Sequence, residues 1–500
     1  MRFHGQDQVN ETKKYHRGSG DGKAPLKRSP LERAKPRYDA IVIGSGLAGL
    51  TAANILGRAG HSVAVVEQHY NFGGMATWFK RRGGHIFDIS LHGFPVGMKK
   101  TCRKYWSKPI ADAIQQLESV RFDNPQFSFE TAFDRTDFTN KLVEVFGIER
   151  TTVEKFFDHV RAMDFYDDDG RSTAELFEEF FPGRNDVHRL LMEPISYANG
   201  SSLADPAISY GIVFSNFMSK GVYTFVGGTD LLIREMKREL AANGIDLFGK
   251  VQVDRIVVEN GAVRGIEACG RMIEADVVVS NANLRTTIEK LVGPQHFDES
   301  FYKGSNEVRL NTSSCQVYMG IREGESLPFI TDLLFTSTRP TFHSPSLCDM
   351  HGESRTFSFY GPRTRPGCDR YTVVSSTNAL YEDWQGLSEA EYEANKERMI
   401  RETIEALERY YPGVGQKIDH VEAATPRTFE FYTQHAAGAS FGTKFEGLKY
   451  SMELSKQIDG LYHAGSVGII MSGWLGAANY GAITANRVDA FLHSLQEVTT

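Results

Sequence analysis

A strand, a glycine-rich turn, a helix and a second strand follow one another between Tyr38 and Glu67, and this run constrains the fold more than any other feature of the chain. Ala40 to Ile43 form a short apolar run of the kind buried on both faces of a parallel sheet. Gly44, Gly46 and Gly49 then supply G-x-G-x-x-G, with Ser45, Leu47 and Ala48 between them. The first glycine allows the tight turn and the second lets the backbone approach a pyrophosphate. The third lets helix and strand pack closely. Free N–H groups at the helix N-terminus then point outward at the phosphates. The helix continues through Leu50, Ala53, Ile55 and Leu56 to a stop near Gly60. The next strand, 63–66, ends in Glu67, twenty-three positions after Gly44. A carboxylate roughly 20 residues on is where a ribose hydroxyl is bound. The bland alternative is an ordinary βαβ unit with a glycine-rich turn. Agreement of strand, helix and acid favours a dinucleotide site.

Five hundred residues exceed one small core and suggest two domains, interleaved along the chain. With 41% hydrophobic and 24% charged residues the composition is that of a soluble globular protein, which predicts a cytoplasmic location. No window holds the about 18 uninterrupted apolar residues of a membrane span, and the N-terminus lacks the apolar core of a secretory signal. The five cysteines are scattered and lack C-x-x-C, which argues against a disulfide framework and against a zinc site, so no metal is expected. They read as isolated buried thiols. Residues 1–37 carry ten Lys/Arg and four Asp/Glu, about +6, against about −13 for the rest. Rich in Gly, Pro and Ser, this segment reads as a disordered basic tail. It is either a solvated leader or a peripheral attachment to an anionic membrane. No folded basic domain accompanies it, so nucleic acid is not an expected partner.

Between 89 and about 220 helical periodicity with many aromatics takes over. Phe138, Leu142, Val145 and Phe146 fall on one helix face, and Phe133, Phe156 and Phe157 read as core. Asp167-Asp168-Asp169-Gly170 lacks the ligand spacing of an EF-hand and reads as a helix-ending turn. Further on, a helix is expected over 229–242, strands over 245–248, 251–258, 262–268 and 277–280, and a hairpin turn at Asn260-Gly261. Residues 290–450 alternate strands with a long helix, 388–411. Near the C-terminus a strand at 461–463 meets Ala464-Gly465-Ser466, and a glycine-rich stretch through Ile470 opens a last helix over 478–488. This second strand-to-helix turn can also present N–H groups to a cofactor.

The acid is followed by Gln68, then Gly73-Gly74-Met75-Ala76, and then Phe87-Asp88-Ile89-Ser90-Leu91-His92. Together with the fingerprint and the C-terminal glycines, these residues resemble the phytoene desaturase, carotenoid isomerase and retinol saturase group of the flavin amine oxidase superfamily. The resemblance implies an α/β fold with an α+β substrate part: a Rossmann-like FAD-binding domain of the glutathione reductase/amine oxidase type with an interleaved substrate domain. It divides the chain into 38–100, 220–290 and 455–500 for FAD, and 101–219 with 291–454 for a substrate cap. FAD is then expected to contact Gly44, Ser45, Gly46, Leu47, Ala48, Gly49, Glu67, Gln68, Gly73, Gly74, Met75, Val253, Gly465, Ser466 and Ile470. Met75 stands where desaturases and amine oxidases usually carry Arg, and Ser466 where many relatives have an acid. Ser90 replaces the usual Gly of F-D-x-G-x-H. His92 stands at the histidine of the saturase-like branch, as a catalytic candidate or a hydrogen-bonded core residue. The implied activity is desaturation, saturation or cis–trans isomerisation of an isoprenoid polyene, with a quinone, oxygen or a small donor exchanging electrons. No second nucleotide fingerprint is present to bind NAD(P). The alternatives are a flavin amine oxidase, with Trp474 and Tyr480 as an aromatic cage, and a non-enzymatic prenyl-binding escort of the Rab GDI type.

Overall fold

The computed structural model describes residues 29–164, 170–468 and 470–499. The acidic turn at 167–169 and residues 1–28 of the basic tail lie outside them. Residues 29–37 correct the expected boundary. Leu31 is fully buried, and the Arg271 guanidinium donates to the carbonyls of Leu31 and Ala34, so this stretch is packed onto the first sheet rather than free of it.

Two seven-stranded sheets organise the molecule. In the first, Arg37–Ile43 lies between Val63–Glu67 and Arg271–Ser280, all parallel, with Asp246–Gly249 outside Val63–Glu67. Ala40, Ile41, Val42 and Val63 to Val66 are buried, as a two-sided sheet requires. Arg271–Ser280 divides its other edge between two partners. Its first half pairs with Ala262–Ala268 and its second half, parallel, with Leu461–His463. The C-terminal strand thereby enters the same sheet as the first, four hundred residues earlier in sequence. Asn260 and Gly261, both at positive φ, close the hairpin from Val253–Glu259 to Ala262–Ala268.

The second sheet runs in the order Ile418–Ala424, Ser313–Ile321, Thr372–Ala379, Ser354–Tyr360, Leu333–Ser337, Val120–Asn124, Phe127–Thr131. One face packs on the long helix Glu389–Glu408, which Ser388 opens with a capping box. The helical segment between the sheets centres on Phe133, Phe138, Phe156, Phe157 and Phe214, a structural core as expected. Val145 departs from expectation and is 52% exposed. Its helix ends at Glu144, so the periodicity that aligned it with Phe138 is broken one residue earlier. The cysteines are all free, yet Cys269 is exposed in a turn rather than buried. Among the described residues no helix is long and apolar enough to cross a membrane.

Candidate functional site

Ser45 sits in the turn between the first strand and the helix Leu47–Arg58, and it fixes the turn against the acid. Its backbone N–H and its Oγ both donate to one oxygen of Glu67, at 2.9 and 2.7 Å, while the His69 N–H donates to the other at 2.8 Å. The second glycine segment closes over the first. Gly73 N–H donates to the Ser45 carbonyl at 2.9 Å, and Gly46 and Gly73 form a parallel bridge. A Cβ on Gly74 would stand 2.9 Å from the Gly46 Cα, one on Gly49 2.4 Å from the Gly44 carbonyl oxygen, and one on Gly46 2.6 Å from the Asn281 Oδ1. Backbone therefore meets backbone at Gly49 and Gly74 and the Asn281 side chain at Gly46, and a side chain at any of the three would fill the cradle. No side chain caps this helix and its first turn carries no acid, so the leading amides of Leu47, Ala48 and Gly49 are left for an anionic ligand.

The far end of the cradle is built from two other parts of the chain. Asn281 donates its N–H to Ile43 at 2.7 Å and its side-chain amide to the Ala464 carbonyl at 2.6 Å. His463 ties this turn together. Its Nε2–H donates to the Ala282 carbonyl at 2.9 Å, which leaves Nδ1 to accept from the Ser451 hydroxyl at 2.6 Å. Ser451 in turn accepts from Tyr480 at 2.5 Å. Burial holds His463 down at about 4, so it is neutral at pH 7. The helix Gly473–Thr499 packs directly on Leu47–Arg58, where Gly481 lets it approach the Ala48 carbonyl.

Beyond Gly74 the wall continues through Met75, whose carbonyl accepts from Ser90 Oγ at 2.9 Å. Ser90 Oγ also accepts from the Trp474 indole at 3.3 Å, and Trp474 stacks on Phe94. His92 follows, in contact with the second sheet: Nδ1 is 2.9 Å from Ser358 Oγ and Nε2 3.2 Å from Ser376 Oγ. Burial pushes His92 down to about 4, against the Asp88 carboxylate, so it stands neutral at pH 7.

Of the other sequence-selected residues, Gln68 reaches outward to the Tyr432 carbonyl. Val253 is buried in the core behind the sheet; it is Lys250 and Val251 that donate to the carbonyls of His69 and Glu67. Ser466 lies so close to Gly442 that any Cβ there would strike its carbonyl oxygen, and Ile470 packs at the core's margin. Tyr480 is fully buried behind His463, so it does not pair with Trp474 as an aromatic cage.

Three features were not foreseen. Asp88 accepts from the Thr229 N–H at 2.7 Å and from its hydroxyl at 2.5 Å, and pairs with Arg365 at 2.7 Å; Arg365 also pairs with Asp230. Lys444 is buried and donates to Asp205 and to the Gly200 carbonyl. His61, Asp489 and His493 gather where the last helix passes the start of the second strand, with His61 Nε2 at 2.7 Å from Asp489. Each partner lies a hundred or more residues away in at least one contact, and single residues without a local pattern carry no such signal.

Comparison with known proteins agrees with this geometry. An NAD(P)-binding Rossmann-like domain model matches residues 42–108. Chloroplastic prolycopene isomerase of Daucus carota is 25% identical, covering 91% of this chain and 80% of that protein. All-trans-retinol 13,14-reductase of Homo sapiens is 22% identical, covering 81% and 77%. Cyclohexylamine oxidase of Brevibacterium oxydans has a similar fold, with a TM-score of 0.63 at 12% identity over 91% of this chain and 99% of the other. The expected resemblance and the Rossmann-like fold of the amine oxidase type are borne out.

Proposed function

We propose that this protein is an FAD-dependent oxidoreductase acting on a carbon–carbon double bond of an isoprenoid polyene. The carrying observation is the closed cradle of Gly46, Gly73 and Gly74 over the Ser45–Glu67 pair. It leads without a break through Met75 and Ser90 to His92 at the second sheet. Segments 38–100, 220–290 and 455–500 form the cofactor unit, and 101–219 with 291–454 the substrate cap. The cradle fits FAD: amides of the fingerprint helix for the pyrophosphate, Glu67 for the ribose, Met75 and the Ala464–Ser466 turn for the ring end. Bound there, FAD supplies electron or hydride exchange with the double bond. Met75 leaves that end uncharged where an arginine would add a cation. His92, neutral and held between two serine hydroxyls, positions polar groups rather than carrying charge. The relatives named above isomerise prolycopene or reduce all-trans-retinol, which supports a polyene substrate and leaves the direction of electron flow to the acceptor.

The buried Tyr480 and the Lys444 committed to Asp205 weigh against the amine oxidase reading. An escort without cofactor has no use for an intact fingerprint. To meet a membrane-dissolved polyene the protein docks peripherally, through the helix Gly97–Tyr105 with Lys100, Arg103 and Lys104 exposed, together with the basic tail. The test is the visible spectrum of purified protein. Flavin bands that bleach with dithionite support the reading; a colourless protein that takes up no added FAD overturns it.

A further inference from the structure

We infer that the substrate carries an oxygen function where it lies over the second sheet, and that a bare hydrocarbon polyene is the poorer ligand. This rests on the polyene reading above and narrows it. Register places Gln316 opposite Ser376, Ser314 opposite Asn378, and Ser376 opposite Thr356. Ser314, Gln316, Asn378, Ser376, Thr356 and Ser358 therefore share one face of three adjacent central strands. Tyr318, on the same face, packs against Phe79 and Phe87, so the face is turned toward the cofactor unit. His92 lies against it, bonded to Ser358 and Ser376.

This polarity is not a solvent face. Ser314, Gln316, Thr356, Ser358 and Asn378 are all buried, between 2% and 9% exposed. On the opposite face Cys315, Val317 and Met319 pack with Met399 and Leu407 of the long helix, and the buried Arg355 there is paired to Thr403 of that helix. Above the polar face, the end of the helix Asn185–Asn199 adds more of the same. Asn378 donates to the Ser196 carbonyl at 3.0 Å and Asn311 to the Asn199 carbonyl at 2.9 Å. Among the described residues, Ser196 Oγ, Asn199 Nδ2, Ser201 Oγ and Thr312 Oγ1 are buried with no hydrogen-bond partner in the protein.

Ser314, Gln316, Thr356, Ser358, Ser376 and Asn378 find partners in Ser440, Tyr318, the Ser376 carbonyl, His92 and the Ser196 carbonyl, so the four unpaired atoms at the helix end are the costly ones until a ligand reaches them. A hydrocarbon laid over this face displaces water and returns no hydrogen bond, whereas a hydroxyl or carbonyl on the substrate returns one or two. The chain builds an aromatic wall elsewhere, around Phe122, Phe133 and Phe138, so an apolar lining was available and is not used here.

The test titrates the FAD-loaded full-length protein with all-trans-retinol and with the same polyene lacking the hydroxyl, following polyene absorbance. Retinol is expected to bind about tenfold or more tightly, the worth of one well-made hydrogen bond. Thr312→Val and Ser201→Ala, which remove two of the unpaired hydroxyls, are expected to bring the ratio toward one while the flavin spectrum stays unchanged. Equal or tighter binding of the hydrocarbon by the wild-type protein overturns the inference and leaves the polyene reading standing. Binding of neither compound, with FAD bound, overturns both.

Discussion

Gly74 shows how little room the cofactor cradle leaves at the scale of one residue. Its φ of +60° disfavours any side chain, and a Cβ would stand 2.9 Å from the Gly46 Cα, which is backbone and cannot swing aside. Gly74→Ala should weaken FAD binding about tenfold or more, read as flavin absorbance retained after gel filtration; undiminished flavin would contradict the cradle. His463 bears on stability. Its folded value of about 4 lies below the ordinary 6.5, so between these pH values the unfolded chain binds a proton that the folded chain does not. Stability conferred by neutral His463 is thus complete above about pH 6.5 and is lost as pH falls toward 4, by up to about 3 kcal/mol. Urea unfolding from pH 7 to 4.5 should show the decline, and His463→Gln should reduce it, leaving the share that neutral His92 contributes. The glycines were legible because turn, helix and strand succeed one another within thirty residues. His463 was not, because its partners Ala282 and Ser451 come from separate segments and nothing around it repeats.

Among elements, the decisive joint is Asp88. It accepts from the start of the helix Gly228–Ala242 and pairs with Arg365 in the loop between Ser354–Tyr360 and Thr372–Ala379 of the second sheet, locking three distant segments. Arg365 is mostly buried, and Gly228 has no side chain because the guanidinium fills that space. Arg365→Met leaves Asp88 buried and half-paired and should cost about 3–5 kcal/mol, measured by denaturant unfolding. A loss under about 1 kcal/mol would show the pair to be dispensable. Element types were readable wherever a period ran for several residues: the capped helix Glu389–Glu408 and the strands around Asn260-Gly261 appear where expected. The order of strands was not readable, since Arg271–Ser280 divides its edge between Ala262–Ala268 and Leu461–His463. Such a division depends on which segments meet in space. The tail boundary failed for a similar reason: Leu31 and Ala34 are two apolar residues in a basic stretch, and only their burial under Arg271 draws them into the fold.

For the whole molecule, one sheet holds the fingerprint and the other presents a partly polar face to it. The proposed docking on a lipid surface rests on the exposed cations of Gly97–Tyr105. Reversing Lys100, Arg103 and Lys104 to Glu should lower co-sedimentation with phosphatidylserine-containing vesicles about tenfold or more, since each cation near an anionic surface is worth about 1 kcal/mol. Unchanged sedimentation would place docking elsewhere. The central claim is tested most directly by anaerobic, dithionite-reduced, FAD-loaded protein mixed with an oxygenated polyene. The account predicts a changed polyene: a saturated bond with return of the oxidised flavin spectrum, or a new geometric isomer with the flavin still reduced. A polyene recovered unchanged, alongside hydrogen peroxide release from amines in air, would contradict it.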